Sequence, residues 1–148
     1  MEVTFTAAQL ADSDTLVTFM RDLYTFDHIP FDERAAREAV AGLMNDESLG
    51  RVWLIQAGAE PIGYVALTLD YSLEYRGRGA FIDELFVQEP YRGRGVGTQA
   101  IRFAEEVCRA LGLHTLHLEV ERQNVRAHDL YRKMGFEEHD RYLMTKWL

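Results

Sequence analysis

Apolar residues recur at helical spacing in four segments of this chain of 148 residues. In the first segment, Leu16, Phe19, Met20 and Leu23 stand at positions i, i+3, i+4 and i+7, which form one face of an α-helix. Asp32 is placed to cap the second helix, because a carboxylate at that position can accept from the first free N–H groups. The predicted helices span about residues 13–24, 33–44, 95–111 and 125–134.

Between these helices the chain alternates polar and apolar residues, which predicts strands. The turn 58–60 is so short that the strands before and after it must be antiparallel. Strand 81–87, the third helix and strand 114–120 form a right-handed crossover, which makes those two strands parallel. The predicted strands are 2–6, 51–57, 61–70, 81–87 and 114–120, with a last strand or strand pair in 136–147, and the segments 24–31 and 71–79 are predicted loops.

These elements predict one α/β domain over residues 1–148, a length typical of a single domain. Its mixed sheet is antiparallel in the N-terminal half and contains the βαβ unit in the C-terminal half, with about four flanking helices. No internal repeat, low-complexity stretch or linker divides the chain.

Charge and cysteine content narrow the function classes. Sixteen basic and twenty-four acidic residues give a net charge of −8, which disfavours nucleic acid and favours a cationic substrate or a basic partner. The single cysteine, Cys108, excludes an intrachain disulfide and is expected to be a core residue. No apolar run approaches the ~18 residues of a membrane span, and no signal peptide is evident. We therefore expect a cytoplasmic protein without a membrane partner.

A glycine-rich segment lies between strand 81–87 and the third helix. Glycines allow an anion to approach the backbone, and the first N–H groups of a helix point at such an anion, so the segment predicts a phosphate site. The lysine of a P-loop is missing. Gly95 to Ala100 match the letters of the dinucleotide fingerprint, with Glu119 near the expected acid position, but Gly95 comes eight positions after Val87. The remaining candidate pattern is Arg/Gln-x-x-Gly-x-Gly/Ala, which Arg92, Gly95 and Gly97 match.

That pattern resembles the pyrophosphate motif of the GNAT superfamily of acetyl-coenzyme A-dependent N-acetyltransferases. The preceding strand, with Ile82, Leu85 and Val87, is similar to the family strand before the motif. Asn124 and the segment 127–136 (Ala-His-Asp-Leu-Tyr-Arg-Lys-Met-Gly-Phe) are similar to the family's second signature. The order of elements also fits over nearly the whole chain. The resemblance implies a GNAT-like sheet whose parallel strands splay apart to admit the cofactor.

The resemblance implies acetyl-CoA as co-substrate. The backbone of Leu85, Phe86 and Val87 would pair with the pantetheine arm, and an N–H there would hold the developing oxyanion. Asn124 would hydrogen-bond the pantetheine. The pyrophosphate would be bound by Arg92, Gly93, Arg94, Gly95, Val96, Gly97 and Thr98. No metal is expected: His114 and His117, three residues apart on a strand, point to opposite faces, and the chain has no second cysteine for a zinc site.

Acetyl transfer to an amine calls for a base and for an acid at the leaving thiolate. Asn124, His128 and Tyr131 stand at i, i+4 and i+7 and share one helical stripe, with ends roughly 10 Å apart. Tyr131 would lie near the sulfur and can supply its proton. Glu84 is the first candidate base and Asp83 the second, because neighbouring strand residues point to opposite faces and only one can face the acceptor; Glu119 is a further candidate.

The acceptor pocket is expected from the loops 24–31 and 70–79, where the candidate substrate-binding residues are Tyr24, Phe26, His28 and Tyr71, with Phe31 and Tyr75 also available. Asp27, Asp70 and Glu74 could attract an ammonium group, whereas Arg76 and Arg78 argue against a purely acidic pocket.

The predicted activity is acetyl transfer to a primary amine of a small molecule or a protein, by direct attack in a ternary complex. The alternatives are an aminoglycoside- or polyamine-type acetyltransferase, a non-catalytic acetyl-CoA-binding regulatory module and a nicotinamide-binding module. A homodimer could form along the predicted C-terminal strand 141–147.

Overall fold

A computed structural model describes all 148 residues as an α/β fold built on a five-stranded mixed sheet. The strands stand in chain order; neighbours are antiparallel from β1 to β4, and β4 and β5 are parallel. This confirms the predicted fold class. The strands are β1 Thr4–Ala7, β2 Gly50–Ala57, β3 Glu60–Ser72, β4 Gly77–Val87 and β5 Thr115–His117, and the helices are α1 Ser13–Phe26, α2 Glu33–Asn45, α3 Val96–Ala110 and α4 Val125–Lys133.

The chain forms two compact units. The first, Met1–Leu118, contains the whole sheet and the helices α1 to α3, and the second, Glu119–Leu148, contains α4. The boundaries of the predicted domain, 1–148, stay a prediction.

Apolar side chains cover both faces of the sheet in the first unit. On one face, α1 and α2 bury residues such as Leu16 and Val40 against Tyr64 and Phe86. On the other face, Val96 at the start of α3 packs with residues of β2 and β3. Asp32 caps α2 as predicted, its carboxylate accepting from the Ala35 N–H at 3.1 Å. The C-terminal end of α1 and the N-terminal end of α3 therefore lie against β4.

The predicted loop 71–79 is wrong, because β3 and β4 continue until Ser72 pairs with Gly77 and leave only the turn 73–76 between them. Gly79 is required inside a strand. A Cβ at Gly79 would lie 2.5 Å from Thr115 Oγ1 of β5, so only glycine allows the two parallel strands to approach.

The C-terminal strand prediction is also wrong. β5 is shorter than the predicted 114–120, and no strand forms within 136–147. Apolar side chains of this segment, including Tyr142, Met144 and Trp147, are exposed. Alternation alone does not make a strand, because a strand is stabilised by pairing with a neighbouring edge.

Candidate active site

The parallel pairing of β4 ends halfway along the strand. β4 pairs with β5 only through Gly79, Ala80 and Phe81. Just beyond, its register with β3 shifts by one residue: Ile82 lies opposite Leu67 and Glu84 opposite Ala66, which leaves Asp83 as an extra residue. Such bulges re-aim side chains and occur frequently beside active sites. The segment from Ile82 to Val87 therefore has a free edge and a re-aimed pair of carboxylates.

Glu84 is held by two tyrosines at this bulge. Tyr24 of α1 donates its hydroxyl to Glu84 Oε2 at 2.5 Å, and Tyr64 of β3 donates to Glu84 Oε1 at 2.7 Å. Burial raises the pKa of Glu84; the two hydrogen bonds oppose this shift, and the negative charges of Asp83 and Asp27 add to it. A carboxylate with a raised pKa accepts a proton more readily than an ordinary glutamate does.

The two tyrosines remain neutral donors. Burial, together with the hydrogen bond and charge of Glu84, raises the pKa of both Tyr24 and Tyr64 well above the usual tyrosine value. Tyr64 was not predicted as a site residue. Its signal in the sequence was a phenol inside the otherwise apolar run 62–67, because a buried tyrosine hydroxyl ordinarily needs a hydrogen-bond partner.

The other candidate bases have different surroundings. Asp83 is exposed, although the neighbouring protein partly desolvates its carboxyl and raises its pKa. Glu119 lies in the second unit. Of the three carboxylates, Glu84 is the one that is fixed in place by two hydrogen bonds.

We expect the Glu84→Gln variant to gain stability over the native protein as the pH rises. Because the folded pKa of Glu84 is raised, its contribution to stability is fully present below the unfolded value of about 4.5 and is lost as the pH rises through the folded pKa. Glutamine does not titrate, so the difference in melting temperature should grow from about pH 4 upwards and then level off. Thermal unfolding of both proteins checks this; a constant difference would contradict it.

Three of the four candidate acceptor residues lie at the end of α1. Tyr24 contacts Glu84, Phe26 is 61% exposed, and His28 lies in the turn that ends the helix. His28 has φ +57°, and the Ile29 N–H donates to the Tyr24 carbonyl at 2.8 Å across it, which is the geometry of a Schellman cap. The cap redirects the chain directly after Tyr24 and Phe26.

Tyr71 lies elsewhere. It pairs with Arg78 near the start of β4, five positions along β3 from Ala66, which is opposite Glu84. At about 3.4 Å per residue this is roughly 17 Å from the bulge. Tyr71, Asp70 and Arg78 instead line an open cavity of about 470 Å³ at that end of the sheet. The structure therefore does not bring Tyr71 to Glu84.

The glycine loop leaves its backbone accessible at the start of α3. Gly93 and Gly95 have φ values of +72° and +83°, and Gly95 occupies the N-cap without a side-chain cap. The first N–H groups of α3 have no intrahelical acceptor. A Cβ added at Gly93, Gly95 or Gly97 would meet no atom within 4 Å. The loop is therefore an open cradle of N–H groups that suits a phosphate.

Arg92 lies outside this cradle. Its N–H donates to the Glu89 carbonyl at 3.1 Å, and its side-chain Nε donates to the Val87 carbonyl at 2.7 Å. Its guanidinium carbon lies 4.9 Å from the centre of the Phe26 ring and 5.5 Å from that of Phe86. The side chain thus connects the ends of β4 and α1.

The free edge of β4 offers selected backbone groups. The Gln88 N–H donates to the Ile62 carbonyl at 2.8 Å. Because ladder bonds alternate in an antiparallel pair, the backbone N–H and C=O of Phe86 also point toward β3. The backbone N–H and C=O groups of Leu85 and Val87 point away from β3. The Val87 carbonyl is occupied by Arg92. The N–H and C=O of Leu85 and the N–H of Val87 remain available to an extended ligand. The pairing of Phe86 with the pantetheine arm stays a prediction.

The second unit carries the predicted helix residues. Asn124 caps α4 by accepting from the Ala127 N–H at 3.2 Å, which leaves its amide NH₂ as a donor. Tyr131 packs edge-on against Phe136, with ring centres 6.0 Å apart, and burial raises its pKa. The tyrosine is therefore protonated at neutral pH. His128 Nδ1 lies 2.5 Å from Glu138, whose pKa is lowered by hydrogen bonds from His128 and Arg132.

No group of three or more His, Cys, Asp or Glu side chains is arranged to hold a metal ion. None of the helices has the length and apolar character needed to span a membrane.

Comparison with known proteins identifies the class. The acetyltransferase (GNAT) family model matches residues 17–136. This chain therefore belongs to the GNAT family and is an acyltransferase. A thialysine N-epsilon-acetyltransferase from Bos taurus is 27% identical over 140 residues, covering 88% of this chain and 82% of the relative. An aminoalkylphosphonate N-acetyltransferase from Salmonella typhimurium is 26% identical over 131 residues, with the same coverages.

Solved structures share the fold. An integron cassette protein from the mobile metagenome of Cole Harbour Salt Marsh has a TM-score of 0.84 at 34% identity, covering 97% of this chain and 90% of its own. A predicted acetyltransferase from Clostridium acetobutylicum, solved with acetyl-CoA, has a TM-score of 0.81 at 16% identity, covering 98% of this chain and 96% of its own.

Proposed function

We propose that this protein transfers the acetyl group of acetyl-CoA to a primary amine of a small molecule by direct attack in a ternary complex. The observation that carries the proposal is Glu84, a partly buried carboxylate held by Tyr24 and Tyr64 where β4 loses its parallel partner. The names of the two relatives, which act on thialysine and on aminoalkylphosphonates, support a small-molecule acceptor. A protein amine, a homodimer and a cytoplasmic location stay predictions.

The residues present fit the co-substrate. The open N–H groups at Gly93, Gly95, Val96, Gly97 and Thr98, with Arg94 beside them, would bind its pyrophosphate. The free peptide groups of Leu85 and Val87 would pair with the pantetheine arm, and Asn124 has a free amide donor for it. These donors, backbone N–H groups and the Asn124 amide with the charge of Arg94 beside them, suit a long polar ligand that carries a pyrophosphate.

Glu84 and Tyr131 supply the proton transfers. An amine arrives largely as ammonium, since its pKa is near 10, and Glu84 removes a proton to free the lone pair. The bound acetyl-CoA would supply a thioester. The amine nitrogen bonds to its carbonyl carbon, and the bond from that carbon to sulfur breaks. A β4 N–H beyond the bulge would stabilise the charge on the carbonyl oxygen. Tyr131 gives its phenolic proton to the departing sulfur and is restored by the second proton of the nitrogen, which is lost as the amide forms.

The Tyr131→Phe variant tests this proposal. We expect kcat to fall about 100-fold, because a positioned general acid contributes at least this much. Acetyl-CoA affinity in calorimetry should stay within about threefold, because the cradle lies on another element. Turnover is followed by release of the free thiol with a panel of amines.

Each outcome separates the alternatives. Unchanged turnover in Tyr131→Phe would remove its assigned role as acid. Binding of acetyl-CoA without turnover of any amine by the native protein would favour a non-catalytic binding module. Binding of NAD instead of acetyl-CoA would favour the dinucleotide alternative and overturn the proposal.

A further inference from the structure

Arg92 has a fixed side chain whose outer nitrogens are unused. Nε is bonded to the Val87 carbonyl, and the guanidinium lies over the rings of Phe26 and Phe86. Stacking and one backbone bond hold the planar group in place. The ion pairs of the structure do not include Arg92. The two terminal NH₂ groups are therefore presented without an acidic partner, and such a fork is well suited to a carboxylate or a phosphonate.

This guanidinium lies on the same side of β4 as Glu84. Glu84 and Phe86 are two residues apart on one strand, so their side chains share a face. We name the surface formed by Tyr24, Phe26, Glu84, Phe86 and Arg92 the acceptor surface. Glu84 and Phe86 are about 7 Å apart along the strand, and the guanidinium of Arg92 lies over the ring of Phe86. The carboxylate and the guanidinium are therefore on the order of 10 Å apart.

Charge is distributed unevenly over the acceptor surface. Near Glu84 the charges of Asp27 and Asp83 add to its own; burial is the main cause of the raised pKa of Glu84, and these two charges raise it further. Near Phe26 and Phe86 the charge is that of Arg92. A surface that is negative at one end and positive at the other complements a molecule with the opposite arrangement.

We infer that the acceptor is an amine that also carries an anionic group, and that Arg92 binds this group while Glu84 receives the ammonium end. The inference rests on the proposed function and names the substrate class for the same site. It also gives Arg92 a role apart from the pyrophosphate cradle, since its backbone N–H is already bonded to Glu89. The chemistry is shared by carboxylates and phosphonates, which the experiment separates.

Matched pairs of acceptors test the inference. Each pair differs only in the anion: L-lysine and lysinamide, β-alanine and β-alaninamide, 6-aminohexanoate and its amide. 2-Aminoethylphosphonate is compared with β-alanine to distinguish the two kinds of anion. With the native protein, kcat/KM should be at least about tenfold higher for the best acid than for its amide, because the amide leaves the guanidinium unpaired.

Two arginine variants provide the control. Arg92→Met keeps a long side chain over the rings but removes the charge, and it should reduce the preference for acid over amide to near unity. Arg94→Met removes a neighbouring exposed charge and should weaken acetyl-CoA binding while leaving that preference unchanged. Acetyl-CoA affinity is measured by calorimetry for each variant.

The outcomes are distinguishable from failure of the proposed function. A native preference for the amides, or for amines outside the anionic set, would overturn the inference while leaving acetyl transfer intact. A preference that survives Arg92→Met, or falls equally in Arg94→Met, would also overturn it. Absence of transfer to every amine despite acetyl-CoA binding would instead count against the proposed function.

Discussion

Replacing Glu84 by glutamine is expected to lower kcat/KM for the amine by about 100- to 1000-fold, the contribution of a well-placed general base. Glutamine has nearly the same shape and can still accept from Tyr64, so the loss would report the missing base. The native carboxylate is suited to this work because burial raises its pKa. Initial rates at several amine concentrations, together with acetyl-CoA affinity, measure the effect. Affinity for acetyl-CoA should remain within about threefold, because the N–H cradle of the glycine loop lies at the start of α3, beyond the end of β4.

Asp83→Asn is the matched control for this experiment. Asp83 is adjacent in sequence and also carries a raised pKa, but it is exposed and lacks the two tyrosine donors. Its replacement should cost less than about fivefold, the scale of a change in local charge. If Asp83→Asn loses activity and Glu84→Gln does not, the base is Asp83 and the assignment made from hydrogen bonding is wrong.

The expected gain in stability of Glu84→Gln at neutral pH belongs to the same argument. An ionised carboxylate taken out of water lowers the stability of the fold, yet it is the form that accepts a proton. Tyr24 and Tyr64 offset part of this cost by donating to both oxygens. A variant that is more stable and less active would be the signature of a site that retains an unfavourable charge for chemistry.

The sequence predicted the elements well where periodicity was long and strongly patterned. The α1 and α3 segments each bury one apolar stripe, as the spacing indicated. The prediction failed at 71–79, where β3 and β4 continue and Gly79 is required by the approach of β5. Such a requirement depends on a residue distant in the chain, Thr115, and is not visible locally.

The candidate site was predictable in part for a similar reason. Glu84 and Tyr24 were both candidates, but their pairing depends on how α1 packs on β4. A one-residue bulge at Asp83 decides which carboxylate turns toward α1, and a shift of one residue reverses every side chain of a strand. Local pattern carries no information about such a shift. Tyr71 was grouped with Tyr24 because the loops 24–31 and 70–79 were both expected to form the acceptor pocket, and the register of β3 with β4 separates the two residues.

Replacing Gly97 by valine is expected to weaken acetyl-CoA binding about 100-fold or more. Gly97 lies in the first turn of α3, where a Cβ would meet no protein atom within 4 Å. A branched side chain there would occupy the space through which a phosphate reaches the N–H groups. Each charge-assisted hydrogen bond lost is worth about 1.5–3 kcal/mol, and 1.4 kcal/mol is a factor of ten. Calorimetry with acetyl-CoA measures the change directly.

Gly42→Val is the matched control for Gly97→Val. Gly42 is also helical and also has open space around its position, but it lies in α2. Both substitutions replace glycine by a modest helix former, so each should change stability by less than about 1 kcal/mol. Gly95 would be a poor choice, because its φ of +83° makes any side chain strained and would mix folding with binding. Equal affinity for acetyl-CoA in Gly97→Val and Gly42→Val would mean that the phosphates bind away from the first turn of α3, and the glycines would then serve only to shape the loop.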